Sequence, residues 1–457
     1  MSELERDDMQ GLIARGYPDL TSARYVLLRV VDPPAARSWL MDIARRVTPG
    51  SARPDDVALN VAFTVGGLAA LGLPADVLGQ FSHEFRTGMT TPHRRRILGD
   101  TGDSAPERWA WGGPTTPSPD VLLLLFARDE ATLEQHEASV SNSARGVEEI
   151  QRLETHVDLD GREHFGFADG ISQPTVDGLS SRTDIPSNTI RPGEFILGYE
   201  NEYGRYTERP LVETTDALAP DVEGSGRADL GRNGTYLVFR HLAQDVHAFW
   251  EYVDRVAAAH GVDSTWLAAK MVGRWPDGAP MTLAPDRDDP GLTSANDFTY
   301  QYADAAGLSC PLGAHVRRAH PRDSLDPDPG TLRSVRLDKR HRLLRRGREY
   351  GPPVADPRAA RAQDDVERGL YFIALAGNVA RQFEFVQHTW LNNPSFDGLY
   401  DEPDPLVARH EASHAFSIPA EPVRTRLTSL PTFVTVRGGA YFFLPGLAAI
   451  RYLAASG

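Results

Sequence analysis

The run of apolar and polar positions predicts the same local unit twice. Residues 24–31 are apolar and β-branched, and an Asp-Pro-Pro turn leads from them into apolar positions at helical spacing over 35–47. Residues 235–242 read the same way, followed by Gln244-Asp245 and a helical pattern over 246–259. Each strand carries a tyrosine with an arginine four positions on (Tyr25 and Arg29, Tyr236 and Arg240). Each helix carries a tryptophan on its apolar face (Trp39, Trp250). Agreement in both spacing and residue type favours an internal duplication over two unrelated strand–helix units.

Further strands are predicted at 57–65 and 121–127, the second leading into a helix through Val140. In the second half, a strand at 370–375 precedes a helix near 379–389, and a strand at 440–444 precedes a short helix near 447–454. Strands and helices alternating at antiparallel-compatible spacing predict the α+β class rather than a doubly wound parallel sheet. No glycine-rich strand–turn–helix marks a dinucleotide or P-loop site. Segments 180–229, 287–297 and 323–330 are rich in proline, glycine and charge and lack a period. They read as surface insertions, some of them framing an entrance.

A chain of 457 residues is too long for one ordinary core, which suits two domains or one duplicated unit. The formal charge of −15 argues against non-specific binding to nucleic acid or to an anionic membrane. No run of about 18 apolar residues is available to span a bilayer. The single cysteine, Cys310, rules out an intrachain disulfide and a four-cysteine zinc or iron–sulfur site. The opening MSELERDDMQ has no basic n-region, apolar stretch or twin arginine, so a cytoplasmic location is expected.

Three segments carry the chemistry. In 164–174 (HFGFADGISQP) two glycines four apart and a closing proline favour a loop that can approach a flat ligand. There Phe165 and Phe167 would wall Asp169 into a partly dry pocket. Read alone, Asp169 is as readily a turn aspartate. Segment 310–322 (CPLGAHVRRAHPR) sets His315 between small residues and a basic run, and segment 341–347 (HRLLRRG) is arginine-rich.

Together these segments resemble the dye-decolourising peroxidases, a family of haem enzymes. Residues 8–17 (DMQGLIARGY) resemble the family's opening, and 369–390 and 433–445 its closing blocks, so the likeness spans nearly the whole chain. The length and the long interval between Asp169 and His315 resemble the longer, class V-like (C/D-type) branch. The resemblance implies two ferredoxin-like halves of the dimeric α+β barrel type, with haem in the C-terminal half near their junction. The expected domains are 1–165 and 166–457, with 166–230 a connecting loop carrying Asp169.

The resemblance also implies a single haem b per chain, reduction of H2O2 via Compound I, and oxidation of dyes, phenolic or other aromatic donors. A homo-oligomer is compatible with the sequence. His315 matches the family's proximal iron ligand, Asp169 its acid–base group, and Arg345, the first arginine after the leucines, its distal arginine. Gly170, Ile171, Ser172, His320, Pro321 and Arg322 are expected around the cofactor. Gly313 and Ala314 would let the macrocycle approach, and Arg317, Arg318 and Arg322 would pair with its propionates. Cys310 competes as a thiolate ligand, but a buried structural thiol is the stronger reading. No Cys-x-x-Cys-His is present for covalent attachment.

Asn378 stands where relatives often carry aspartate. It is read either as a neutral hydrogen-bond acceptor for His315 or as a helix N-cap. An aspartate starts near pKa ~3.9 against ~6.5 for histidine, so an acid–base aspartate should favour acidic pH. His410-Glu411-Ala412-Ser413-His414 matches a zinc-protease pattern, but Pro403, Pro405 and Pro419 crowd it and argue against the helix that chemistry requires. The alternative function is haem binding or iron release on the same scaffold, which would need neither Asp169 nor Arg345.

Overall fold

The computed structural model describes residues 3–155, 161–179, 185–354 and 366–455. Its first unit comprises β1 (Ser22–Val30), α1 (Pro33–Ala44), β2 (Val57–Phe63), β3 (Val121–Ala127), α2 (Glu130–Ser141) and β4 (Val147–Glu154). The second begins with β5 (Thr235–Gln244) and α3 (Val246–His260), then α4 (Ser264–Val272) and a short α5 (His315–Ala319). Two short strands follow, β6 (Leu344–Arg345) and β7 (Arg348–Tyr350), then β8 (Gly369–Ala376), a π-wound helix from Ala380 to Leu391, and β9 (Val434–Leu444).

The strands form one antiparallel sheet in the order β6-β8-β5-β9-β2-β3-β1-β4, with β7 also on β8. In each unit the first strand lies between the third and the fourth, which is the ferredoxin-like order, so the duplication holds at the level of topology. The units meet edge to edge between β9 and β2, through the single register pair Phe443–Phe63. Helix starts follow the sequence signals: Asp32, Asp129 and Asp245 cap α1, α2 and α3 by accepting from Ala35, Thr132 and Ala248 amides.

Strand alternation divides the core. Val26, Leu28, Leu123, Leu125 and Val238 face the helices and pack with Trp39, Leu40 and Ile43. Tyr25, Leu27, Leu122, Leu124 and Phe239 face the other way. That second face is covered mainly by irregular chain: Met9 and the single helical turn carrying Leu12 and Ile13 from the N-terminal segment, and Ile190, Phe195 and Tyr199 from the linker between units. Part of the predicted surface insertion 180–229 is therefore core cover. The sheet leaves an apolar face without a long helix, and the N-terminal segment and the linker bury it.

The tyrosine–arginine pairs are not equivalent positions. Tyr25 lies on the face covered by the N-terminal segment and the linker and Arg29 is exposed beside Glu148, whereas Tyr236 lies under the helices and Arg240 is buried against Asp100. Trp39 and Trp250 are both buried, as their spacing predicted. The last helix, α6 (Leu447–Ala455), returns to pack on α1 of the first unit.

Candidate haem site

The helix-side face of the second unit does not close against its helices. Alternate residues of β5, β8 and β9, among them Leu242, Phe372 and Val434, line a cavity of about 1250 Å3. Phe383 and Val386 of the π-wound helix close another wall, and Phe165 and Phe167, each 4% exposed, a third. The wider π winding sits at a functional wall, as such irregularities often do. The volume exceeds that of ordinary drug-sized pockets, about 300–1,000 Å3, and suits a macrocycle.

His315 opens α5 and lines the cavity. Its Nδ1 is 2.9 Å from Oδ2 of Asp404, a residue with no solvent exposure. The other oxygen of Asp404 accepts from the Leu406 and Val407 amides, both at 2.9 Å. Burial alone would raise the Asp404 carboxyl, but His315 and Arg318 outweigh it and hold the group below its ordinary range. Burial likewise disfavours a charged His315, and Asp404 outweighs that and raises its pKa. With Nδ1 committed to Asp404, Nε2 is the nitrogen left for a metal.

Asn378 does not take that part. Its side-chain oxygen accepts from the Arg381 amide at 2.9 Å, and its own backbone amide donates to the Gln382 side-chain oxygen at 2.9 Å, so it caps the π-wound helix. Asp404 was missed because it lies 89 positions from His315 in a segment without a period. The available signal was Asp404-Pro405-Leu406-Val407, an aspartate before a proline and two free amides, which marks a capping turn.

Asp169 and Arg345 meet in the cavity, with Arg345 Nη2 donating to Asp169 Oδ1 at 3.1 Å. Gln173 fixes the pair by holding the Arg345 backbone on both sides: its amide donates to Arg345 O and its oxygen accepts from Arg345 N. Gly166 and Gly170 take φ of +96° and +79°, conformations that favour glycine and turn the Asp169 segment. Arg346 also borders the cavity, but its guanidinium is spent on Leu12 O, Ile13 O and Arg345 O rather than on Asp169.

Gly170, Ile171, Ser172 and His320 line the cavity, whereas Pro321, Arg322 and Asn378 lie outside the lining. The expected propionate partners are absorbed elsewhere. Arg317 donates to Asp304 O and Cys310 O, Arg318 to Glu402 O and Asn393 O, and Arg322 to Asn296 and Phe298. A helix-poor region buries many carbonyls, and these guanidinium groups satisfy them. The arginines that do line the cavity include Arg274, Arg342 and Arg345; Arg342 donates to Ser172 O, and Arg274 to Gly278 O and Ala295 O with its other terminal nitrogen toward Ser172 Oγ. Gly313 and Ala314 pack on Phe416 and Cys310 rather than facing the cavity.

Cys310 is fully buried outside the lining, and burial pushes its thiol up to about 11, which makes it a poor thiolate ligand. The 410–414 segment is not helical, and His414 Nδ1 accepts from the Glu411 amide. No metal-binding cluster of three or more His, Cys, Asp or Glu occurs among the described residues.

No family model matches the chain. It is 32% identical over 422 residues to peroxidase 2 of Mycetinis scorodonius, covering 86% of this chain and 76% of that one. It is also 32% identical over 440 residues to a multifunctional dye peroxidase of Amycolatopsis sp., covering 92% and 86%. A solved dye-decolorizing peroxidase complexed with 2,6-dimethoxyphenol superposes with a TM-score of 0.80 at 26% identity, covering 99% of this chain and all of that one. Fold and cavity together define a two-unit α+β haem enzyme. The chain belongs to the dye-decolourising peroxidase family, whose members are haem peroxidases that use hydrogen peroxide.

Proposed function

We propose that this peroxidase holds haem b on His315 and reduces H2O2 through Asp169 and Arg345, with phenolic and other aromatic compounds as donors. The observation that carries the reading is a cavity in which His315, oriented by Asp404, shares the lining with the Asp169–Arg345 pair. The residues fit the group: an imidazole with Nε2 uncommitted, apolar walls for a macrocycle, and Arg274 and Arg342 as cations for propionates. Without a Cys-x-x-Cys-His segment the attachment is non-covalent, as in haem b.

When bound, the haem supplies the iron at which peroxide is taken up and the oxidising equivalents passed to the donor. The chain's own part is positioning and proton handling. Asp404 keeps the His315 proton on Nδ1 and the ring in place. An Asp169 oxygen takes the proton from one peroxide oxygen and returns it to the other as it leaves. The Arg345 guanidinium stabilises negative charge on the departing oxygen. Haem storage would need neither residue.

A phenolic donor is supported by the 2,6-dimethoxyphenol complex of the related structure. The test is the pre-steady-state rate with H2O2 against pH in wild type and Asp169→Asn. The substitution keeps the shape and removes the base, so the rate should fall by ~10² or more. An unchanged rate and pH dependence would remove Asp169 from the mechanism.

A further inference from the structure

Glu163 precedes the Asp169 segment and is spent almost entirely on shaping it. Its Oε2 accepts from the Phe165 amide at 2.9 Å and its Oε1 from the Phe167 amide at 3.0 Å. Its own amide donates to Phe167 O, and its carbonyl accepts from the Gly166 amide. From outside the loop, Gln244 at the end of β5 donates to Oε2 at 2.6 Å. Ala168 N then bonds Pro276 O, and Asp169 N bonds Gly161 O, so the chain leaves the clamp and reaches Asp169 with its backbone held.

Two points set this apart from ordinary loop capping. Accepting two backbone amides at once requires an acceptor on both sides, which a carboxylate has and the isosteric amide lacks. The carboxylate is also kept in the cavity wall without an ion-pairing partner among the described residues. Burial, with Asp169 adding to it, pushes the carboxyl up to about 7. A half-buried acid with no counter-charge is costly to keep for shape alone.

We propose that Glu163, backed by Gln244, is the positioning residue for Asp169, setting the distance between its carboxylate and the peroxide. The proposal rests on the acid–base reading of Asp169.

Haem-loaded wild type, Glu163→Gln, Asp169→Asn and the double variant are compared by stopped-flow reaction with H2O2, donor KM, Soret spectrum and hydrogen exchange over 161–170. Glu163→Gln should slow the peroxide reaction roughly ten- to a hundredfold, since misplacement by an ångström costs that much. Donor KM and the Soret band should stay unchanged, and exchange of the Phe165 and Phe167 amides should rise. In the Asp169→Asn background the same substitution should cause no further slowing, because Glu163 acts only through Asp169.

Unchanged loop exchange, or losses that multiply in the double variant, would overturn the proposal. Slowing by Asp169→Asn but not by Glu163→Gln defeats this inference alone, and no slowing by Asp169→Asn defeats the acid–base reading. If Glu163→Gln fails to take up haem, Gln244→Leu carries the test. It removes only the outer donor and should give the same pattern more weakly; a wild-type rate and exchange there would count against the clamp.

Discussion

Replacing Asp404 by Asn tests how His315 is prepared for the iron-binding role proposed for it. Asp404 is fully buried and uses both oxygens, one for the Leu406 and Val407 amides and one for His315 Nδ1. An asparagine can satisfy the two amides only by turning its oxygen toward them, which puts its NH2 against Nδ1. The opposite orientation sets NH2 against two N–H groups and is worse. With the first orientation, His315 escapes a donor–donor clash only by accepting at Nδ1 and carrying its proton on Nε2. That is the nitrogen facing the cavity, and once protonated it cannot bind iron. The charge-assisted hydrogen bond lost is worth about 1.5–3 kcal/mol. Removing such a partner typically lowers metal affinity about 10–100-fold, or about 1.4–2.7 kcal/mol. The assay is titration of haem-free Asp404→Asn with haemin, followed at the Soret band. A dissociation constant within about twofold of wild type, with an unchanged spectrum, would refute the tautomer argument even if His315 proved to be the ligand.

His315→Ala should lose most of its haem or shift the Soret band strongly; unchanged occupancy and spectrum would remove His315 as ligand. Arg345→Leu should slow the peroxide reaction by ~10²–10³, whereas Arg346→Leu, which removes a donor from the Leu12, Ile13 and Arg345 carbonyls, should act mainly on stability; stopped-flow rates in the reverse order would show the register to be off by one. Asp100→Ala strands the buried Arg240 guanidinium, held by two hydrogen bonds of which one is 2.8 Å, and should cost about 3–5 kcal/mol in denaturant unfolding. Burial, then Asp169, raises the Glu163 carboxyl from 4.5 to about 7, so the folded chain holds a proton that the unfolded chain releases between those values. Stability should therefore fall as pH rises through that window, by up to ~3 kcal/mol from this group, and Glu163→Gln should flatten that part of the profile.

Legibility in the sequence tracked the range of the interaction. β3 matched its predicted bounds and α3 nearly did, because a continuous apolar run and an aspartate cap before a helical period are written within a few residues. β4 escaped notice because Val147–Glu154 is an edge strand with a mostly polar, exposed pattern, and β6 and β7 are too short to show a period. The same rule applies inside the site. His315, Asp169 and Arg345 each sit in a local motif and could be placed from it. What each residue faces is decided by other parts of the fold.

The basic run after His315 shows why neighbouring charges mislead. Arg317 and Arg318 adjoin His315 in sequence, yet α5 turns them into a helix-poor region whose carbonyls they satisfy, while Arg274 and Arg342, from other segments, line the cavity. Asn378 and Asp404 make the complementary case. Both are polar residues before irregular or helical chain, and both hold nearby amides with a side-chain oxygen. They differ in how many oxygens remain afterwards. The asparagine has one acceptor and spends it on the Arg381 amide, whereas the aspartate has a second, which reaches His315 from 89 positions away.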